Sequence, residues 1–219
     1  MNYRPLSLVV AGSLAALLLS CSPRENNAAQ PTETPAGKEA AGRAEAPVRQ
    51  FVVVLKTTEG DMVVECWPGE APGTVENFFK LAMAGFYDGT AFHRIIDGYM
   101  IQGGDPLTKD PSQEARWGTG SAPGHIKAEQ NNRKHEFGVI SMARAGNPDS
   151  ASSQFFICLG AAPKLDGNFT AFGKVIKGED VLKKIGATPC GPGPTGENSK
   201  PLKRVGLESV KIVPADSIK

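Results

Sequence analysis

Phe92-His93-Arg94-Ile95-Ile96-Asp97-Gly98-Tyr99-Met100-Ile101-Gln102-Gly103-Gly104-Asp105 is the stretch on which the architecture of this chain turns. Two runs of large apolar residues flank Asp97-Gly98, a dipeptide suited to a tight hairpin turn, so the stretch predicts two short antiparallel strands. Strand side chains alternate between faces, which groups Phe92, Arg94 and Ile96 on one face and Met100 with Gln102 on one face of the next strand. If those faces coincide, one cation and one amide stand on an otherwise apolar floor.

Working outward, residues 51–57 and 61–67 are β-rich runs around Glu59-Gly60 and predict an opening hairpin. The period then changes. Pro72 suits a first helical position, Val75, Phe78, Phe79 and Ala82 give an apolar stripe, and Gly85 can end the helix. Residues 105–136 carry Gly118, Gly120, Pro123 and Gly124 but no regular pattern, and loops of that length within compact domains are usually functional or disordered. Trp117 within it reads as packing rather than as a ligand contact. Strands are predicted over 137–143, 154–159, 170–176 and 205–213, a second helix over 178–185 with Val181, Leu182 and Ile185 buried, and a turn-rich loop over 189–201. About eight strands and two helices predict a mainly β fold. A closed eight-stranded antiparallel barrel capped by two α-helices accommodates them without an exposed sheet edge.

With 219 residues, 40% hydrophobic and 21% charged, the chain suits one globular domain plus non-globular segments. Its net charge is +1, and without residues 1–20, whose only charged side chain is Arg4, 23 basic residues face 23 acidic ones. A zero balance leaves no electrostatic footprint for nucleic acid. Residues 1–20 have the layout of an export signal: Arg4 first, an apolar run over 6–19, then Leu18-Leu19-Ser20-Cys21. The run is shorter than the ~20 residues needed to cross a bilayer. Ser20 before Cys21 resembles a bacterial lipobox, which implies lipidation of Cys21, anchoring to a membrane through acyl chains and a location facing the periplasm. Residues 21–47 are rich in Ala, Glu, Asn, Pro and Thr without apolar period, and predict a disordered tether spanning roughly 30 Å. The folded domain is expected over 48–215, with 216–219 as a tail.

Three ordered blocks carry a family resemblance: FHRIIDGYMIQGGD from Phe92, SMARAGNPDSASSQFFI from Ser141 and LDGNFTAFGKV from Leu165. Over residues 51–213 the chain resembles the cyclophilin-type peptidyl-prolyl isomerases. The resemblance implies the same barrel, with the 105–136 loop wrapped outside it near the substrate groove, and turnover of X-Pro bonds in proline-containing polypeptides. It implies Arg94 as the catalytic cation, and Tyr99, Met100, Phe156 and Leu165 around the proline ring with Lys164 and Phe169 nearby. Gln102 and Gln154 would orient the substrate, Ala143-Arg144 would pair its backbone, and His93 would support the Arg94 strand. Tyr99 replaces a usual phenylalanine, Arg144 a common asparagine, Lys164 the tryptophan position of the best-known eukaryotic members and Phe169 their histidine. These departures imply weak cyclosporin binding and altered substrate preference.

The chemistry asks for such groups. Amide rotation is hindered by roughly 18–20 kcal/mol, and X-Pro bonds exchange over roughly tens to hundreds of seconds. A catalyst needs only to bind the twisted amide better than either planar form, so no nucleophile, metal or cofactor is expected. In the twisted state the nitrogen regains its lone pair, and a rigid, permanently charged guanidinium can donate to it. His93, His125 and His135 lack metal-ligand spacing. Cys66 and Cys158 sit in apolar strands and read as buried thiols, with one disulfide left open among Cys66, Cys158 and Cys190. Nothing in the sequence supplies an interface, and a monomer is expected. The rival reading is a membrane-tethered proline-binding or holdase module without turnover.

Overall fold

The β-rich runs at the head of the domain pair as an antiparallel hairpin, β1 (Phe51–Thr57) and β2 (Gly60–Cys66), with Val53 opposite Val64 and Leu55 opposite Met62. A computed structural model of the chain describes residues 50–218. The export signal of 1–20, the lipidation site at Cys21 and the tether over 21–47 lie outside the described residues. Helix α1 (Pro72–Met83) follows, with Val75, Phe78 and Ala82 buried. Its first residues lack a side-chain cap of their own, and the carboxylate of Glu129 takes that place. It accepts from the backbone N–H groups of Gly73 (2.9 Å) and Thr74 (2.7 Å) and from the Thr74 hydroxyl (2.7 Å). An anion is favoured there because the first turn leaves its N–H groups unpaired.

The chain continues through β3 (Thr90–Phe92), β4 (Arg94–Ile96), β5 (Met100–Gly103), β6 (Val139–Met142), β7 (Phe155–Cys158) and β8 (Ala171–Lys177). Helix α2 (Glu179–Gly186), the short strands β9 (Cys190–Pro192) and β10 (Asn198–Pro201), and β11 (Val205–Pro214) complete it. Nine strands form one antiparallel sheet in the order β3-β11-β1-β2-β8-β6-β7-β5-β4. Its two ends, β3 and β4, are consecutive in the chain and parted only by His93, whose N–H donates to Gln102 O at 3.0 Å. The sheet thereby curls into a nearly closed barrel. Counting 90–96 as one bent strand gives the eight that the sequence predicts, and the closure covers edges that would otherwise stand unpaired. Phe78 of α1 packs among Tyr87, Phe155 and Phe172, with ring centroids 5.1, 5.6 and 5.2 Å away, and Leu182 and Ile185 of α2 join the same core.

The bend at His93 overturns one expectation. Phe92 does not share a face with Arg94: it is 2% exposed inside the barrel with Ile95, Ile101 and Phe155, whereas Ile96 packs outside with Met100 and Phe156. One irregular residue between two strands shifts the pleat by one position, so every side chain before it changes side. Strand β3 pairs with β11, Phe92 opposite Val205, while β4 pairs with β5, Arg94 opposite Gln102. The hairpin turn also differs in length. Ile96 pairs with Met100, leaving a three-residue loop of Asp97, Gly98 and Tyr99 in which Gly98 takes φ +70°. Tyr99 therefore sits in the turn.

Residues 105–136 contain two 3-10 turns, Pro106–Lys109 and Pro111–Arg116, and are otherwise irregular but held by side chains. The buried Asp105 carboxylate accepts from the N–H groups of Leu107, Gly118 and Gly120, Asn131 donates to Ala171 O at 2.9 Å, and Trp117 Nε1 donates to Leu107 O at 3.1 Å. The span 189–201 is not simply a loop, since β9 and β10 pair there as a second, two-stranded sheet. Among the described residues no helix is long and apolar enough to cross a membrane.

Candidate functional site

Alternation along β4, β5 and β7 sorts the side chains into two sets. Ile95, Ile101 and Ile157 point inward, while Arg94, Met100, Gln102 and Phe156 point out. Outward side chains of a barrel normally meet water, yet Met100 is 3% exposed and Phe156 5%. They form a second apolar cluster with Cys158, covered in part by Ile96, Ala143, Leu165 and Phe169. A groove of about 170 Å³ opens over this cluster. Met100, Phe156, Leu165 and Phe169 make its apolar wall, Tyr99 its exposed lip, and Arg94 with Gln102 its polar edge. Ala143 and Arg144 line the remaining side.

The aromatic wall is buttressed from below. Phe156 meets Phe169 edge-on, centroids 5.8 Å apart, and stacks at 20° on the ring of His135, 6.0 Å away. His135 is fixed at both nitrogens: Nδ1 lies 3.1 Å from Asp166 Oδ1 and Nε2 3.1 Å from Ser141 Oγ, while its backbone N–H donates to the same carboxylate at 2.8 Å. Burial lowers its pKa against the opposing pull of Asp166, so the ring is neutral at pH 7, Nδ1–H donating to Asp166 and Nε2 accepting from Ser141. Asp166 in turn ends the 3-10 turn Pro163–Leu165, so this contact ties the turn that carries Leu165 to His135. His135 thus supports the pocket, a role that its position in the sequence does not reveal.

A line of polar groups crosses the other side. The Glu197 carboxylate accepts from Arg94 Nε (2.5 Å) and Nη2 (2.9 Å), Arg94 Nη1 lies 3.4 Å from Gln102 Oε1, and Gln102 Nε2 donates to Gln154 Oε1 at 2.9 Å. Gln154 Nε2 then donates to Gly118 O (2.9 Å) and Gly120 O (2.7 Å), joining the line to the irregular loop. The Arg94 guanidinium beside it holds the Glu197 carboxyl below the usual carboxylate range. Glu197 is absent from the residues predicted for this site. The one hint is that it is the sole acidic residue between Asp180 and Glu208, in a stretch otherwise rich in Gly and Pro.

Of the remaining predicted residues, Gln154 lines a neighbouring cleft of about 340 Å³ with Thr119, Ser121 and Ser150. Arg144 stands between this cleft and the groove. Its guanidinium lies 4.6 Å over the Phe169 ring and donates to Ala145 O and Asn168 O. Lys164 is exposed on its 3-10 turn and does not line the groove. His93 touches the site through backbone and packing: its Nδ1 is buried without a partner, and burial drives its pKa down to about 4. Its ring faces a second cleft of about 340 Å³ shared with Arg94, Trp117 and Glu197. Among the described residues no group of three His, Cys, Asp or Glu side chains is placed to hold a metal ion, and Cys66, Cys158 and Cys190 are free thiols.

Comparison with known proteins bears on this geometry. Residues 52–212 match the family described as cyclophilin type peptidyl-prolyl cis-trans isomerase/CLD. A peptidyl-prolyl cis-trans isomerase of Arabidopsis thaliana is 40% identical over 160 residues, covering 73% of this chain and 94% of its own. The peptidyl-prolyl cis-trans isomerase-like 1 of Neurospora crassa is 39% identical over 168 residues, covering 74% and 93%. Against the longer isomerase-like 2 of Cryptococcus neoformans, 39% identical over 160 residues, the chain spans only 27% of the relative's length. A Cryptosporidium parvum cyclophilin type isomerase, solved in the presence of the dipeptide Ala-Pro, superposes with TM-score 0.65 at 30% identity, covering 74% of this chain and 98% of the other.

Proposed function

The chain belongs to the cyclophilin-type peptidyl-prolyl cis-trans isomerase family, and from that premise we propose that it accelerates rotation about X-Pro bonds of exported proteins at the groove beside Arg94. One observation carries the reading: a guanidinium and an amide, Arg94 and Gln102, edge the same apolar groove whose floor is Phe156. A proline ring entering that groove leaves water, worth about 0.8 kcal/mol per buried methylene. The flanking amide then lies at the polar edge. As it twists, conjugation is lost and the nitrogen lone pair becomes an acceptor that neither planar isomer offers, so a donor fixed beforehand favours the crossing over both ground states.

A charged hydrogen bond contributes roughly 1.5–3 kcal/mol, or one to two decades of rate. The rest of the acceleration rests on the dry wall of Met100, Phe156 and Leu165 and on Gln102 holding the substrate while one side turns. Protease-coupled kinetics on a short proline peptide test this directly. Arg94→Ala is expected to lose one to two decades of kcat/KM and Arg94→Lys to fall between, because an ammonium lacks the planar fork. Tight peptide binding without acceleration by the wild type supports the holdase reading instead.

The exported setting is supported by the first 21 residues, in which an apolar run ends at Ser20-Cys21. Cys21 receives lipid and the tether holds the domain beside a membrane on the periplasmic side. Metabolic labelling with a fatty acid is expected to mark the wild type and not Cys21→Ser.

A further inference from the structure

Resting on the isomerase reading, we propose that Glu197 is a positioning residue that fixes the Arg94 guanidinium with its Nη1 edge toward the proline groove. Arg94 extends from β4 on a long, rotamer-rich side chain that would otherwise sample many orientations. The Glu197 carboxylate takes Nε at 2.5 Å and Nη2 at 2.9 Å, a bidentate fork that sets the plane of the guanidinium as well as its place. Arginine has five N–H donors. This grip leaves both hydrogens of Nη1 and one of Nη2, and Nη1 is the nitrogen facing Gln102, which lines the groove.

The mount is tied down at several points. Gly193 N–H donates to Glu197 O at 2.7 Å and Gly196 N–H to Gly193 O at 3.0 Å, closing a tight loop between β9 and β10. A Cβ at Gly193 would meet the Ser199 hydroxyl and force that side chain to turn away. The Thr195 and Ser199 side chains stand near the carboxylate and, after Arg94, help to hold its pKa down. Lys200 reaches Glu114 at 2.8 Å, tying β10 to the 105–136 segment that carries Gly118 and Gly120. Arg94 and Glu197 are each about one-third exposed, 34% and 33%, so the pair adds little to folding stability. Its value lies in orientation. A guanidinium already aligned spends no binding energy on ordering when the amide twists.

The test uses the whole chain, with Glu197→Gln, Glu197→Ala and each combined with Arg94→Ala. Glu197→Ala is expected to lower kcat/KM about threefold to tenfold, chiefly in kcat, with Glu197→Gln between it and wild type. The melting temperature stays put. In the Arg94→Ala background Glu197→Ala changes nothing further, since it acts only through that guanidinium. Equal loss in both backgrounds, or kcat/KM at or above wild type, overturns the proposal; a rise would mean that the carboxylate competes with substrate. The ¹⁵N resonance of Arg94 Nε–H gives a readout free of turnover: it is expected to be sharp and downfield in wild type and to broaden and shift in Glu197→Gln. An inactive wild type overturns the isomerase reading, and that resonance still decides the mount, an unchanged signal in Glu197→Gln refuting it.

Discussion

Acidification from pH 7 to pH 5 should cost this domain stability through its buried histidines. His93 carries a buried Nδ1 without a partner, and burial lowers its pKa from 6.5 to about 4. Between those values the unfolded chain binds a proton that the folded chain refuses, so stability is fully present above pH 6.5 and drains as the pH falls toward 4. For these two constants the loss reaches about 2 kcal/mol at pH 5, out of a total that for a domain this size is of order 5–15 kcal/mol. His135 shifts in the same direction, again chiefly through burial. The carboxylates of Asp166 and Glu197 have lowered pKa values, so their contributions are lost only below the ordinary carboxylate range. Urea unfolding at pH 7, 6 and 5 reads the effect. Wild type is expected to lose stability steadily, and His93→Gln, which cannot charge, to show a shallower slope, the remainder belonging to His135. A flat wild-type profile, or equal slopes for both proteins, would refute the assignment of a neutral, water-starved imidazole at His93.

Phe156→Ala removes the groove floor together with the stack on His135, and is expected to cost about 3–5 kcal/mol of stability and to raise KM for proline peptides, read by denaturant titration and steady-state kinetics. Glu129→Ala strands the first N–H groups of α1 and the buried Thr74 hydroxyl, and is expected to cost about 1–3 kcal/mol while also loosening residues 128–131, read as faster amide exchange there. Cys66 and Cys158 are buried, with thiols pushed up to about 12, so an aromatic disulfide reagent at pH 8 should spare both until the chain is unfolded.

How much of this was legible in the sequence follows from where each contact lies along the chain. The β5 residues Met100 and Gln102 were readable because strand alternation is a local rule, and the pairing of Arg94 with Gln102 spans only a three-residue turn. The same rule misplaces Phe92, since nothing in the one-dimensional pattern marks His93 as the residue where the strand bends and changes partner from β11 to β5. The 105–136 segment has no regular sequence pattern because its order comes from single side chains, Asp105, Glu129 and Asn131, reaching backbone groups far away. No periodicity records such bonds. Strands β9 and β10 were hidden by their Gly and Pro content, and with them Glu197, which meets Arg94 across 103 positions of sequence. His135 lacks metal-ligand spacing in the sequence, and its place under Phe156 depends on β6 and β7 being neighbours.

Exchange NMR on a proline peptide at equilibrium, with no coupling protease, tests the central claim most directly by measuring cis-trans interconversion and peptide affinity in one sample. The wild type is expected to raise the exchange rate well above that of free peptide, and Arg94→Ala to forfeit about one to two decades of that gain while binding the peptide within a few-fold of wild-type affinity. Equal exchange rates for the two proteins at equal occupancy would contradict the account.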